Sequence, residues 1–240
     1  LDRLRSAGVA AAESEAPDGI RLLENARVER LPGFAEGLFS VQDESAQGAA
    51  ELLDPQAGQV VLDVCAAPGG KSAALAERMR NEGRIVAADT DAARVALIGS
   101  GAARLGLTII EPLVVRADSS DIPAGPFDRI LLDVPCSNTG VLGKRPEARW
   151  RISEAGIAEL TVVQSGLLRV ALDRLSVGGR LVYSTCSIEP EENEELVQRV
   201  LAERKDVAVV SERTFRPGAP GDGGYQALLI NGPSSIDSCG

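Results

Sequence analysis

Histidine is missing from all 240 residues, and that single gap removes much of the usual catalytic repertoire. There is no imidazole for general acid–base work, for a serine triad or for a Cys/His zinc site. The four cysteines, at 65, 136, 186 and 239, are widely spaced and form no Cys-x-x-Cys pair, so no thiolate metal framework is expected either. Aromatic residues make up only 3% of the chain, too few for an extended stacking platform along a single strand. Basic charge is also short: 25 Lys and Arg stand against 35 Asp and Glu, for a net charge of −10. That balance argues against whole-surface attraction to nucleic acid but leaves room for a local basic groove. Neither a secretory signal pattern nor an unbroken apolar run of membrane-spanning length is visible. The expectation is a soluble, cytoplasmic monomer, with no metal, whose chemistry uses thiols, carboxylates, amines, hydroxyls or a cofactor.

What is present is a regular alternation. Apolar β-branched runs at 60–64, 84–88, 113–116, 128–133 and 180–184 are separated by helical patterns at 71–80, 92–105 and from a Ser153 cap to about Leu175. Pro190 is placed where a further helix would begin, continuing over Glu191–Glu203, and apolar runs at 206–210 and 225–230 close the pattern as a hairpin. Strands alternating with helices at this spacing predict an α/β fold with a doubly wound, mainly parallel sheet and an antiparallel strand near the C-terminus. Residues 1–40 read as a lead-in or the remnant of an upstream domain, 41–230 as the main domain and 231–240 as a tail. Asp43 or Ser45 is expected to cap a short helix that ends at Asp54-Pro55.

In such sheets ligands bind beyond the carboxyl ends of the strands. The residues predicted there are 65–71, Asp89, Asp118, Asp133–Ser137 and Thr185–Ser187: three acids and three thiols at one edge. The turn after the first main strand, Cys65-Ala66-Ala67-Pro68-Gly69-Gly70-Lys71, has two readings. It nearly spells a phosphate loop, and Ile130–Asp133 resembles a magnesium-holding strand, which would make the chain a nucleotide hydrolase. Against this, Cys65 stands where glycine is needed, Pro68 removes an amide, and Asp63 would face a phosphate. The other reading is a nucleoside: Asp89 lies twenty residues after Gly69, where an acid holds ribose hydroxyls. Asp118 could then accept from an adenine amino group.

Four segments together resemble the RNA (cytosine-5)-methyltransferases of the Sun/Fmu type. They are Asp63-Val-Cys-Ala-Ala-Pro-Gly-Gly-Lys71, Leu132-Asp-Val-Pro-Cys-Ser-Asn-Thr-Gly140, Arg149-Trp-Arg151 and Tyr183-Ser-Thr-Cys-Ser-Ile-Glu-Pro-Glu-Glu-Asn193. The likeness extends over about residues 38–230, including Asp43–Ala46, and within the family it points to the bacterial 16S ribosomal RNA enzymes. It implies a Rossmann-like class I methyltransferase that uses S-adenosylmethionine and releases S-adenosylhomocysteine. By position, residues 65–71 would hold the methionine part of the cofactor, Asp89 its ribose and Asp118 its adenine, with Arg94 in support. Asp133 would lie between cofactor and base, Cys186 would be the nucleophile, and Cys136 the thiol that assists release. Asn138 departs from the glycine usual at that place, although Asn tolerates left-handed backbone better than most residues. Transfer RNA as substrate and a binding-only paralogue remain alternatives.

The chemistry fits a chain without histidine. Carbon-5 of cytosine is a poor nucleophile until a thiolate adds at carbon-6 and turns the ring into an enamine. Lys144, Arg145, Arg149 and Arg151 gather around Trp150, as a site for RNA phosphates or as a solvated loop around a core Trp. The acidic run 189–195 reads as a solvated helix start, favoured by the helix dipole.

Overall fold

The computed structural model describes residues 1–14, 19–42, 44–117, 119–144, 146–218 and 221–232, with backbone alone at 44–46, 148 and 151. The chain opens with a short helix α1 (Asp2–Ser6), a hairpin of β1 (Ala11–Glu13) and β2 (Ile20–Leu22), and a 3-10 turn over Val28–Arg30. Leu4, Ala11 and Leu31 give this N-terminal piece a small core of its own.

The main body runs α2 (Glu44–Leu53), β3 (Val60–Val64), α3 (Gly70–Arg78), β4 (Arg84–Asp89), α4 (Ala92–Leu105) and β5 (Ile110–Val114). It continues through β6 (Phe127–Asp133), α5 (Glu154–Leu172), β7 (Leu175–Thr185), α6 (Glu194–Leu201), β8 (Val207–Phe215) and β9 (Gly224–Asn231). Seven strands form one sheet in the order β5-β4-β3-β6-β7-β9-β8. The first five are mutually parallel, and β9 is antiparallel to both its neighbours. The expected doubly wound sheet with an antiparallel strand near the C-terminus is thus what the chain forms.

Alternation along the strands sorts the core into two layers. Leu62, Ile130, Leu132, Leu181 and Tyr183 pack with Leu168 and Leu172 of α5 and Val197 of α6. Val61, Ile85, Leu131 and Val182 face the other way, against Ala50, Leu75, Met79 and Ile98 of α2, α3 and α4. Asp63, on the same face of β3 as Val61, accepts from Ser72 of α3. Helix starts follow local chemistry: Asp91 accepts from the amides of Ala93 and Arg94, and Ser153 accepts from Gly156.

Four elements differ from expectation, among them β8, which runs on to Phe215 instead of ending at 210. β5 lies at 110–114 rather than 113–116; it is an edge strand paired only with β4, and there Pro112 breaks no ladder. β7 starts at Leu175 rather than 180, because a bulge around Gly178-Gly179 takes up the extra residues opposite Phe127–Arg129. The helix expected from 190 is split into a 3-10 turn, Pro190–Glu192, and α6, with Asn193 at φ −113 and ψ −115 between them. Helix α5 also reaches, by length and composition, what a membrane span requires. Its Gln164, Leu167, Leu168, Ala171 and Leu172 are nevertheless buried within the fold.

Candidate active site

The sheet order reverses between β3 and β6, and the carboxyl ends of those strands and of β4 and β7 meet there. The turn after β3 is shaped mainly by backbone. Gly69 has φ +102, and a Cβ there would stand 3.1 Å from the Cα of Ile98, so the turn accepts only glycine without strain. Gly69 caps α3 with no side-chain bond, and the helix has no acid in its first turn. Asp89 is 5% exposed and accepts from the Ala67 amide at 3.1 Å through Oδ2. Arg94 donates to the Ala67 carbonyl at 2.6 Å and stands 3.8 Å from Asp89 Oδ1. It therefore holds the turn from outside. Beneath lies Asp63, fully buried: Ser72 Oγ donates to its Oδ2 at 2.6 Å, while Oδ1 has no partner. Burial pushes this carboxyl up to about 7.

Cys65 and Lys71 begin and end the turn, with different fates. Cys65 packs beside the larger core cluster, and burial followed by the charge of Asp89 pushes its thiol up to about 12. It stays an inert thiol. Lys71 reaches across to Asp133, Nζ to Oδ2 at 2.8 Å. Burial alone would pull its ammonium down, but the charge and hydrogen bond of Asp133 outweigh that and hold it above its ordinary value. An amine committed in this way is not free to hold a phosphate over the turn, which removes a main support of the hydrolase reading.

The two thiols after β6 and β7 meet. Cys136 Sγ and Cys186 Sγ are 3.2 Å apart. The proton is shared unequally: the bond from Cys136 lowers Cys186 below an ordinary thiol, against its burial and the charge of Asp133, and Lys71 adds to the lowering. The same bond, with burial, holds Cys136 well above the ordinary value. As a thiol, Cys186 can also donate to Asn138 Oδ1 at 3.0 Å. Asn138 sits in left-handed conformation at φ +61 and ties its Nδ2 to the Cys136 carbonyl at 2.8 Å, so the departure from glycine contributes contacts of its own.

Cys186, Asp133, Lys71 and Asn138 line a cleft of about 510 Å³. A larger groove of about 1310 Å³ adjoins it along the N-terminal hairpin, α2 and β8. None of its lining residues is a thiol, so the smaller cleft is the chemical site. Gly140 seals the cleft's edge: its amide donates to the Cys186 carbonyl at 3.0 Å, and its carbonyl accepts from Gly223 N at 2.9 Å. A Cβ on Gly140 would lie 2.3 Å from Gly223 O.

The residues that hold these loops were misjudged from sequence. Glu192 is 0% exposed, not part of a solvated helix start. Its carboxylate accepts from Ser137 N at 2.9 Å, Ser137 Oγ at 2.5 Å and Gln164 Nε2 at 2.9 Å, and its carbonyl from Tyr183 OH at 2.7 Å. Asn193, also fully buried, accepts from Thr185 Oγ1 at 2.6 Å and donates to the Ser187 carbonyl at 3.0 Å. The run Glu-Pro-Glu-Glu-Asn was visible; that only its fourth and fifth members turn inward was not.

Of the basic cluster, Lys144 pairs with Asp222 at 2.9 Å beside the cleft, and Arg149 is exposed. Trp150 is 84% exposed and therefore no core residue. Asp118, Arg145 and Asp43 lie outside the described residues, as do the side chains of Ser45 and Arg151.

Residues 50–228 match the family described as 16S rRNA methyltransferase RsmB/F. The chain belongs to that family. It is 40% identical over 227 residues to the ribosomal RNA small subunit methyltransferase B of Salmonella paratyphi B, covering 89% of this chain and 52% of that protein. This member thus spans about half the length of the curated relative it matches. Among solved structures, a methyltransferase homolog protein from Pyrococcus horikoshii superposes with a TM-score of 0.84 at 30% identity, covering 96% of this chain and 81% of that one. NSun6 from the same organism, solved with SFG, gives 0.79 at 28% identity, covering 86% and 56%. RsmB/F membership sets the hydrolase reading aside.

Proposed function

We propose that this chain transfers a methyl group from S-adenosylmethionine to carbon-5 of a cytosine in RNA, with 16S ribosomal RNA as substrate, through a transient bond to Cys186. The observation that carries the reading is the Cys136–Cys186 contact of 3.2 Å at the edge of a cleft that Asp133 and Lys71 also line. In this reading 41–230 is the methyltransferase domain, with 1–40 leading in and 231–240 as tail.

The cofactor supplies an electrophilic methyl group when bound. The residues present suit it: the uncapped start of α3 leaves amides open to a carboxylate, and the Gly69 turn admits close approach. We assign residues 65–71, Asp89, Arg94, Asp118 and Asp133 to holding it. The SFG in the NSun6 relative is an analogue of S-adenosylmethionine and supports the assignment.

Cys186 adds as thiolate to carbon-6, and Asp133 accepts from the N3–N4 edge, favouring the charge that develops as sulfur adds. Carbon-5, now enamine-like, takes the methyl group and then gives its proton to water in the cleft, the C–H pair re-forming the C5=C6 bond as the C6–S bond breaks. As the ring expels sulfur, the Cys136 S–H stabilises the departing Cys186 thiolate. Lys144, Arg145, Arg149 and Arg151 hold RNA phosphates while Trp150 stacks, and the target base leaves its stack to enter the cleft.

The test uses 5-fluorocytosine RNA, which blocks proton loss. With cofactor, a covalent protein–RNA complex is expected, absent in Cys186→Ser. Cys136→Ala should leave protein attached even to ordinary RNA. Exchange of these two behaviours would reverse the thiols, and no adduct or methyl transfer with any variant would leave a binding-only protein.

A further inference from the structure

We propose that Cys136 and Cys186 form a reversible disulfide when the protein meets a hydroperoxide, so that the two thiols are an oxidation site as well as reacting groups. The geometry is unusually favourable. The sulfurs are 3.2 Å apart and need to close by only about 1.2 Å to reach the roughly 2.05 Å of a disulfide. Both lie on loops beyond strand ends, Cys136 after β6 and Cys186 after β7, so the closure asks nothing of the sheet.

The three described thiols divide the labour. Cys186 opens on the cleft and, with its proton shared toward Cys136, is the most ionised of them. Cys136 is buried at 8% exposure and keeps its proton. Cys65 is held up to about 12 and does not compete. Peroxide should therefore select Cys186, because the thiolate is the form that oxidises.

The steps balance. The Cys186 thiolate attacks a peroxide oxygen: an S–O bond forms, the O–O bond breaks and hydroxide leaves, giving a sulfenic acid. Cys136 sulfur then attacks Cys186 sulfur: an S–S bond forms, the S–O bond breaks, and the leaving hydroxyl takes the Cys136 proton as water. The two sulfurs lose two electrons and the peroxide gains two. Excess dithiol reverses the result by exchange. The chemistry needs neither RNA nor methyl donor, so it stands or falls apart from the methyl-transfer reading. Its consequence within that reading is that neither thiol can act until reduced.

The experiment treats the full chain, carrying Cys239→Ser to remove the fourth thiol, with hydrogen peroxide and no cofactor. Remaining thiols are alkylated and the peptides are identified by mass. The expected product is a Cys136–Cys186 linked pair two hydrogens lighter than the separate peptides, with Cys65 alkylated only after unfolding. Dithiothreitol should return both thiols. In Cys136→Ala, Cys186 should pass to sulfinic acid, which dithiothreitol does not reverse. Cys186→Ser should leave Cys136 a thiol at the same dose. Recovery of Cys186 as sulfinic acid beside a free Cys136 in the parent chain would overturn the proposal. So would two intact thiols at a dose that oxidises an unstructured cysteine peptide.

Discussion

The two halves of the active edge are built by opposite means. After β3 the backbone does the shaping: Gly69 turns left-handed, and α3 starts without a side-chain cap. After β6 and β7 the shaping is done by buried polar side chains. Ser137, Thr139, Gln164, Thr185, Ser187, Glu192 and Asn193 bond to one another and to the loops that carry the two thiols. A backbone turn can stay open for a ligand, whereas a cross-linked loop fixes one sulfur against another. The contrast matches the work proposed for each half, since a cofactor must come and go while the two thiols must be held side by side.

The side-chain half should therefore break hardest. Glu192→Ala removes the shared acceptor of Ser137 N, Ser137 Oγ and Gln164 Nε2, leaving the amide unpaired while Ser137 Oγ keeps Ser187 and Gln164 keeps the Pro135 carbonyl. At about 1–3 kcal/mol for the unpaired amide and about 1.5–3 kcal/mol for each of the two other bonds lost to the carboxylate, the loss is expected to reach about 4 kcal/mol or more. Glu191→Ala, one residue away and exposed, should change stability by less than about 0.5 kcal/mol. Urea denaturation of the pair measures the difference, and equal losses would show that the network does not carry the load assigned to it.

On the backbone half, Gly69→Ala is the matching change. Left-handed backbone costs a residue with a Cβ about 1–2 kcal/mol. The contact at 3.1 Å with the Cα of Ile98 adds overpacking of about 1–3 kcal/mol. A loss of about 2–5 kcal/mol is expected. Binding of S-adenosylhomocysteine, read by calorimetry, should weaken at least about tenfold, or about 1.4 kcal/mol. Unchanged affinity in a destabilised variant would detach the turn from the cofactor.

The same contrast explains what was readable in the chain. The strands ending at Val64, Asp89 and Asp133, the α5 helix with its Ser153 cap, and the Gly-rich turn all follow from period and backbone demand. Cys136 and Cys186 were singled out by motif, and the sheet brings them into contact. Glu192 and Asn193 were not legible, because a carboxylate beside two other acids reads as solvated, and only the fold turns one of them inward. For Trp150 the sequence left a core and a stacking reading open, and its 84% exposure removes the core one. The bulge at Gly178-Gly179 escaped because glycines ahead of a strand read as its turn, not as its interior.

Asp63 stands between the two modes, a side chain buried beneath a backbone turn, and it gives the finest test. Its folded carboxyl is up at about 7 against an ordinary 3.8, so between those values the folded state binds more protons than the unfolded one. Stability must then fall as pH rises through that window, and the loss is complete above about 7. Asp63→Asn carries no such titration. At pH 5 part of the loss has already occurred; from there to pH 8 about two further pKa units remain, on the order of 3 kcal/mol. The variant's stability relative to the parent should therefore rise by that much between pH 5 and pH 8, while every other titrating group cancels between the two proteins. An unpaired amide in place of Oδ1 shifts both pH values alike and leaves the difference intact. Parallel stability curves would mean that the site holds Asp63 as an anion, with Ser72 and Lys71 outweighing burial, and that the turn is supported by a charge instead of a proton.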